Sequence, residues 1–510
     1  MCVGGPATVR STRPAPPAIR GGVTMHYASP ESRRGFLRVF DQLIQDMEGC
    51  DDMALESALR LPEKKVRVPA PAVPLQLLLG GEDGYQLRLE PELVIDADGR
   101  HLPNGDYLLF DPLSFYSGIS GFVRLSEGAA VTLGREDPLQ RLLLQYPDEV
   151  GKEHLRLKLT AKGLVLKKKT TSRGACVAPV LETDTLAERV RWRSAKLERL
   201  AGLLGGPIEE PSRHDALDLI ERVLELMGRE AYRDKDDAGR PGGLLQLPGK
   251  PAPIMVGDLH ARIDNLLVVL TQNGFLEGLA DGSALLILVG DAVHPDEPGR
   301  EEEMDMSMLL MDLIFRLKLR FPGRVFYLRG NHDSFGDHIS KRGVPQGLLW
   351  EKALYDRRGS KYRDAMQRLY DLLPYVAVSP RYICCHAGPP TMKVRRRDLV
   401  NIRDHPKLSH QLTHLRLRKP SSPEGYDAGD LKRLRKRLGV QSSTPVVVGH
   451  TPLSADDTCW LNAGGIPHHH VLFGAHPKTV GVITRANRHL LPLRYPVEPL
   501  LPVYNRLFGK

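Results

Sequence analysis

No apolar run in this 510-residue chain reaches about 18 residues, so no membrane-spanning helix is expected and no membrane partner follows. Cysteine is scarce. The six residues lie scattered, without disulfide-framework or metal-type spacing, which excludes a disulfide-stapled scaffold and a cysteine-built zinc module. Cys384 and Cys385 stand together in a strand-like run and read as buried, reduced thiols of a cytoplasmic protein. The first residues, MCVGGPATVRSTRPAPPAIRGG, lack an apolar signal core; residues 1–28 read as a disordered tail, with Met25 a second candidate start. No fixed-period repeat is present. The arginines are dispersed, so no nucleic-acid partner is expected, and KRLRKR at 432–437 reads as a solvated helix face.

The length calls for two or three domains, and the formal net charge of +9 suits phosphorylated or otherwise acidic partners. Residues 29–65 fit short helices (FLRVFDQLIQDM). Residues 66–183 carry alternating β-type runs broken by Gly, Pro and Asp, the pattern of an all-β sandwich. Helical periodicity returns between 184 and 249, where a helical connector ends in a charged, glycine-containing linker over 229–249. From 250 to 495 strands and helices alternate, which predicts an α/β layered domain, followed by a C-terminal tail at 496–510.

Inside the α/β part five short blocks occur in order: GDLH, GDAVH, RGNHD, CHAG and GHT. They supply Asp258 and His260, Asp291, Asn331 and His332, His386, and His450. Each follows an apolar run that reads as a buried strand, so these residues fall on loops at strand carboxyl ends, where open α/β sheets build their sites. A mixed Asp, Asn and His set suits manganese, iron or zinc better than magnesium or calcium. Two such ions can activate water and hold phosphoryl oxygens, which makes a two-metal phosphoesterase the leading expectation. By contrast, the tract His468, His469 and His470 reads as exposed loop, and the methionines at 304, 306, 308 and 311 as helix core.

Residues 250–485 resemble the metal-dependent phosphoprotein phosphatases of the calcineurin-like metallophosphoesterase superfamily, whose motifs are GDxHG, GDxxDRG, RGNHE, HGG and GH. The resemblance implies that the α/β layers enclose a central β-sandwich. It also implies that Asp258, His260 and Asp291 hold one metal, and that Asp291, Asn331, His386 and His450 hold the other. It implies that His332 is the general acid and that Arg329 steadies the phosphate. Departures cluster in the second block. GDAVHPDE places His294 where the family has the aspartate that orients the acid histidine, and Pro295 where it has a phosphate-binding arginine. Ala261 replaces the glycine of GDxHG, and Asp333 the glutamate of RGNHE. Asp296, Glu297 or His294 itself could orient His332, and Arg395, Arg396, Arg397 or Arg403 could replace the arginine.

Residues 117–183 resemble a forkhead-associated (FHA) domain, a β-sandwich that binds phosphothreonine. Arg135 matches the phosphate-contacting arginine and His154 the structural histidine, whereas Gly151 and Arg173 replace the binding serine and asparagine. Together the resemblances imply a serine/threonine protein phosphatase that uses two divalent metals, most simply manganese, and direct attack of activated water. Phosphorylated proteins would be its substrates, with the FHA-like domain docking them or other partners. The alternatives are a dinucleoside polyphosphate hydrolase or phosphotyrosine phosphatase on the same site, and a phosphopeptide-binding scaffold with a degenerate phosphatase domain.

Overall fold

The computed structural model describes residues 184–508, apart from 273, 420–423, 456, 487 and 488, together with shorter segments between 59 and 179. The expected tail at 1–28, most of the expected helical segment at 29–65, and Arg173 lie outside the described residues. Leu59–Arg60, the described end of that helical segment, is strand instead, paired antiparallel with Ala175–Pro179.

Between 59 and 179 the described strands form two antiparallel sheets, one of six strands and one of four. Leu75–Leu79 and Leu155–Thr160 alternate buried and less buried residues, the period-2 signature of strands with one face inward. Leu75, Leu77 and Leu79 from one sheet and Leu155, Leu157 and Leu159 from the other meet in one apolar cluster, which makes this region a β-sandwich.

The second half is built from two sheets packed face to face. Five strands run in the order Val325–Tyr327, Ala284–Leu288, Ala252–Val256, Thr479–Ala486 and His489–Pro496, the first three parallel. Seven strands form the other sheet, with Val376–Ser379, Tyr382–Cys385, Val446–Val448 and His469–Leu472 at its centre. Met255, Leu285, Ile287 and Phe326 from one sheet meet Ala377, Cys384, Val447 and Leu472 from the other in the inner core. The alternate residues Ile254, Leu286 and Leu288 share an apolar cluster with helices Ile263–Leu270, Phe275–Asp281 and Asp305–Arg320, and Arg213–Gly228 packs on the last of these. Those of the seven-stranded sheet, such as Ile383, Val446 and Val448, pack under helices Pro406–His414 and Ala428–Leu438. Helices therefore cover both outer faces of a central sandwich, the layering expected from the sequence.

Three boundaries are corrected. The expected linker at 229–249 contains strands Arg233–Lys235 and Pro241–Gln246, the latter parallel to Val376–Ser379, so it belongs to the seven-stranded sheet. The helical connector is an outer layer, since Ala216, Ile220, Val223 and Met227 are buried in the core shared with Leu310 and Leu369. The expected C-terminal tail forms helix Leu501–Arg506, with Tyr504 fully buried and Asn505 exchanging hydrogen bonds with the Ile208 backbone at 2.8 and 3.0 Å. The histidine tract is corrected too. His469 and His470 lie in a buried strand between two others, and only His468 is exposed. Tyr426 Oη and the Asn462 N–H give these two imidazoles polar partners inside the sheet.

Candidate active site

All five blocks sit at strand carboxyl ends on one rim of the sandwich, three from the five-stranded sheet and two from the seven-stranded one. A parallel bridge between Asp258 and Phe473 stitches the two sheets there. The loops turn sharply: His260, Ala261, Asp291, His294 and His450 all have positive φ, between 43° and 69°. Such strain concentrates at functional loops. Ala261, with φ of 65°, occupies the position where the resembling family carries glycine, the residue that adopts this conformation without a Cβ penalty. The glycines next to ligands are needed for close approach. A Cβ on Gly330 would lie 2.0 Å from Asp291 Oδ1, and one on Gly449 2.3 Å from Asp258 Oδ1.

The six expected ligands converge. Potential ligand atoms of Asp258, His260 and Asp291 lie within 4.8 Å of one another, as do those of Asp291, His386 and His450, so Asp291 is common to both sets. His386 Nε2 lies 2.9 Å from Asn331 Oδ1 and 3.3 Å from Asp291 Oδ2. Its Nδ1 donates to the Val289 carbonyl at 2.8 Å, and His260 Nδ1 donates to the His294 carbonyl at 3.0 Å. A carbonyl on Nδ1 fixes the tautomer that leaves Nε2 with a lone pair, the usual arrangement for a metal-ligating histidine.

Two fully buried carboxylates converge here, and among the described residues neither is ion-paired with Lys or Arg. Burial raises Asp258 to about 6. Burial works against charge on His386, yet Asp291 and Asp258 draw it up to about 10, and a cation held by the same carboxylates would take the place of the Nε2 proton. The pocket concentrates negative potential on an N and O donor set, and these residues fit a pair of divalent cations.

His332 stands beside this set. Its backbone N–H donates to Asp291 Oδ1 at 2.8 Å, and its Nδ1 lies 3.1 Å from His294 Nδ1. Of the three candidates for orienting it, the structure brings only His294 into contact. Asp296 instead faces Arg262 at 3.5 Å and Lys341 at 4.0 Å, and Glu297 faces Arg300 at 3.6 Å and Arg262 at 4.0 Å. His294 is fully buried, with its backbone N–H on Ser307 Oγ and its ring edge-on to Trp350. Burial pushes His332 down to about 4, and holds His294 well below its usual value.

A cavity of about 670 Å³ opens over His260, Asp291, Asn331, His332 and His450. None of the four arginines suggested as a replacement clamp lines it. Arg395 pairs with Asp398, Arg396 reaches Gln246 and the Leu438 carbonyl, Arg397 pairs with Asp237, and Arg403 bonds Asp236 and the Asp371 carbonyl. Arg329 is also elsewhere, its guanidinium 5.4 Å from the Tyr370 ring centroid. The cations that do line the cavity are Arg262, Lys341, Arg342 and Arg416. The first three face Asp296, Glu297 or Glu301, whereas Arg416 has no carboxylate partner among the described residues. No motif marked Arg416, which lies in the segment between the fourth and fifth blocks.

Asp333 was noted only as a departure, yet it braces the site. It accepts hydrogen bonds from the Gly330 N–H at 2.7 Å, the Asp291 N–H at 3.3 Å and Tyr327 Oη, locking the second and third blocks together. In the sandwich, Arg135 is held by the Val150 carbonyl at 2.5 Å and by Asp148 at 2.8 Å.

Residues 254–476 match the family model for calcineurin-like phosphoesterase, a span that contains all five blocks. Within that span the chain carries a metallophosphoesterase-type domain. It is 27% identical over 215 residues to the serine/threonine-protein phosphatase rdgC of Drosophila melanogaster, a match covering 38% of this chain and 29% of the fly protein. A solved Saccharomyces cerevisiae structure, described as a protein serine/threonine phosphatase with similarity to human phosphatase PP5, aligns at a TM-score of 0.42 and 15% identity. That alignment covers 56% of this chain and 90% of the yeast one.

Proposed function

We propose that the chain is a metal-dependent phosphatase that hydrolyses phosphoserine and phosphothreonine monoesters of proteins. The observation that carries this reading is the sharing of Asp291 by two ligand sets beside an imidazole pair in one cavity. The fly relative's name supports the substrate class. Asp258, His260 and Asp291 would hold one cation, and Asp291, Asn331, His386 and His450 the other. Bound there, two divalent cations, manganese in the simplest case, supply Lewis acidity to the phosphoryl oxygens and a water nucleophile at neutral pH.

The protein's own groups do the rest. Arg416 is the phosphate clamp, because it is the cavity cation not committed to a carboxylate. The arriving phosphate dianion raises His332 from its lowered value, so the ring takes a second proton on Nε2 and gives it to the ester oxygen as the P–O bond breaks; the side chain leaves as serine or threonine rather than as alkoxide. His294 Nδ1 accepts from His332 Nδ1–H, holding the ring so that Nε2 faces the cavity. A neutral imidazole there replaces a carboxylate, so it orients the acid without adding charge to it. The β-sandwich would dock a phosphothreonine or protein partner, with Arg135 as its contact, which raises the local substrate concentration. The free, buried thiols of Cys384, Cys385 and Cys459 support a reducing, cytoplasmic setting.

The test is turnover with Mn²⁺ on phosphoserine, phosphothreonine and phosphotyrosine peptides and on diadenosine tetraphosphate. Preferential hydrolysis of the first two is expected. Absence of turnover on all four sinks the reading, and preference for the dinucleotide reassigns it.

A further inference from the structure

The chain's net positive charge is not spread along it. Of the 71 Lys and Arg residues 14 fall between 391 and 440, with only five of the 62 Asp and Glu; the remaining 57 of each sign cancel. One 50-residue segment thus carries the entire formal charge of +9. This segment links the fourth block to the fifth. It is folded against the seven-stranded sheet through Leu399, Leu408, Leu412, Leu431 and Leu434, which are buried with Ile383 and Val446. Its apolar side faces inward, and Lys393, Lys407, Lys419, Lys432, Lys436 and Arg437 are exposed. None of these six is paired with a carboxylate among the described residues.

The segment is fastened to the candidate site. The Ala387 and Gly388 N–H groups, next to His386, donate to the Leu412 and Leu415 carbonyls at 3.0 and 2.9 Å. The ring of His414 lies 6.3 Å from that of His450. Arg416 then enters the cavity wall. The other free cations lie farther out: the last turn of Ala428–Leu438 is held by Arg435 at the Thr444 and His468 carbonyls, at the amino ends of strands Val446–Val448 and His469–Leu472. Across the cavity, Arg262 and Lys341 face Asp296. Among the described residues, Arg416 is therefore the lining Lys or Arg without a carboxylate partner, and it belongs to this segment.

We infer that the described residues of 391–440 form a docking surface for acidic flanks of the phosphorylated substrate, so that phosphosites neighboured by carboxylates or further phosphates are preferred. The inference rests on the phosphoprotein reading above and names the substrate class of that site. Free cations that start from Arg416 in the cavity wall and run outward along Ala428–Leu438 complement acidic residues on the flank of such a peptide, away from the phosphosite itself. A nucleic-acid strand fits less well. The sole Phe, Trp or Tyr in the segment is Tyr426, which is buried, so no aromatic platform is offered for base stacking.

The test uses the full chain with Mn²⁺ and two phosphothreonine peptides of one core sequence, flanked by glutamates or by glutamines, with p-nitrophenyl phosphate as the small ester. Wild type is expected to prefer the glutamate-flanked peptide at low salt, with the preference shrinking as salt rises. The variant Lys432→Glu/Lys436→Glu/Arg437→Glu loses roughly tenfold in kcat/KM on that peptide, through KM, and keeps its rates on the other two substrates. Lys393→Glu, at the other end of the segment, shifts the same preference in the same direction. Equal wild-type rates on the two peptides, or equal losses across all three substrates, overturn the inference. If nothing is hydrolysed the phosphatase reading fails, and docking is then read separately by fluorescence anisotropy of the same peptides. Selective binding of the glutamate-flanked peptide, lost in the triple variant, supports the surface, and equal binding overturns it. Tighter binding of a charge-matched oligonucleotide, abolished by the triple variant, reassigns the surface to nucleic acid.

Discussion

His386 in the phosphoesterase half and His154 in the β-sandwich are both fully buried, and each follows a motif associated with phosphate chemistry. They use their nitrogens differently. His154 accepts the Gly151 N–H on Nδ1 at 3.0 Å and donates Nε2–H to the Gly174 carbonyl at 2.6 Å, so both nitrogens serve the backbone. His386 gives Nδ1 to a carbonyl and turns Nε2 toward Asn331 and Asp291. The first imidazole is a brace, and the second is a ligand on a brace. The same contrast runs through their surroundings. Two buried carboxylates converge on His386, whereas Arg135 of the sandwich is satisfied by an exposed aspartate and a carbonyl. A motif residue marks a site when its loop leaves a polar atom over, and marks a fold when its loop uses them all.

The strongest way to break this contrast is Asp291→Asn, which removes the group common to both ligand sets. Activity should fall by roughly 10³-fold or more with loss of bound metal, measured by elemental analysis beside turnover. Turnover and metal content at wild-type levels would remove Asp291 from the centre. The corresponding change in the sandwich, His154→Ala, should leave the turnover of p-nitrophenyl phosphate intact.

Next in size are the two imidazoles that need no metal to be useful. His332→Asn should lower kcat by about 10²- to 10⁴-fold, the range of a lost general acid, with metal content unchanged. His294→Ala should lower kcat by a smaller factor and leave KM for a small ester unchanged, because it acts only through His332. Metal loss in His332→Asn would show that the imidazole is a ligand. An equal effect of His294→Ala on folding and on rate would make His294 part of the core alone.

How much of this could be read beforehand follows the same division. The six converging residues were legible because each block is local: a buried strand, a close-approach glycine, then a donor side chain. The α/β layering followed from the alternation of strand and helix periods, and the two-sheet arrangement from the family resemblance. Arg416 was not legible, because its place in the cavity depends on how the segment after CHAG folds back onto the sheet. Nor were strands Arg233–Lys235 and Pro241–Gln246, whose charge and glycine content look like linker until Val376–Ser379 pairs beside them. The histidine tract misled for a related reason. Three polar residues in a row suggest solvent, but the central sheet buries two of them and supplies Tyr426 and Asn462 as partners.

That buried pair gives a prediction of intermediate size. Burial pushes both His469 and His470 down to about 4, each helped by a neighbouring histidine. Unfolded, each takes a proton near pH 6.5. Between those values the unfolded chain binds more protons, so stability is full above about pH 6.5 and falls as the pH drops through about 4. The slope is on the order of 1 kcal/mol per pH unit for each histidine, read from denaturant midpoints across that range. His470→Gln should flatten it. His154 is also lowered by burial, so the sandwich should weaken in the same direction, with one histidine rather than two.

The smallest effect sharpens the contrast from the other side. Asp148, the partner of Arg135, is 96% exposed at its side chain, and such a pair contributes at most about 1 kcal/mol. Arg135→Ala should therefore leave both the melting of the sandwich and the turnover of a small ester close to wild type. What it tests is docking. A phosphothreonine arriving at this loop would exchange one exposed carboxylate for a doubly charged phosphate on the same guanidinium, a charge-assisted contact that Asp148 makes only weakly in water. Binding of a phosphothreonine peptide to the full chain, measured with the Asp291→Asn variant so that the peptide survives, should then weaken in Arg135→Ala. Unchanged affinity would leave Arg135, like His154, as a residue whose polar atoms only hold its loop together.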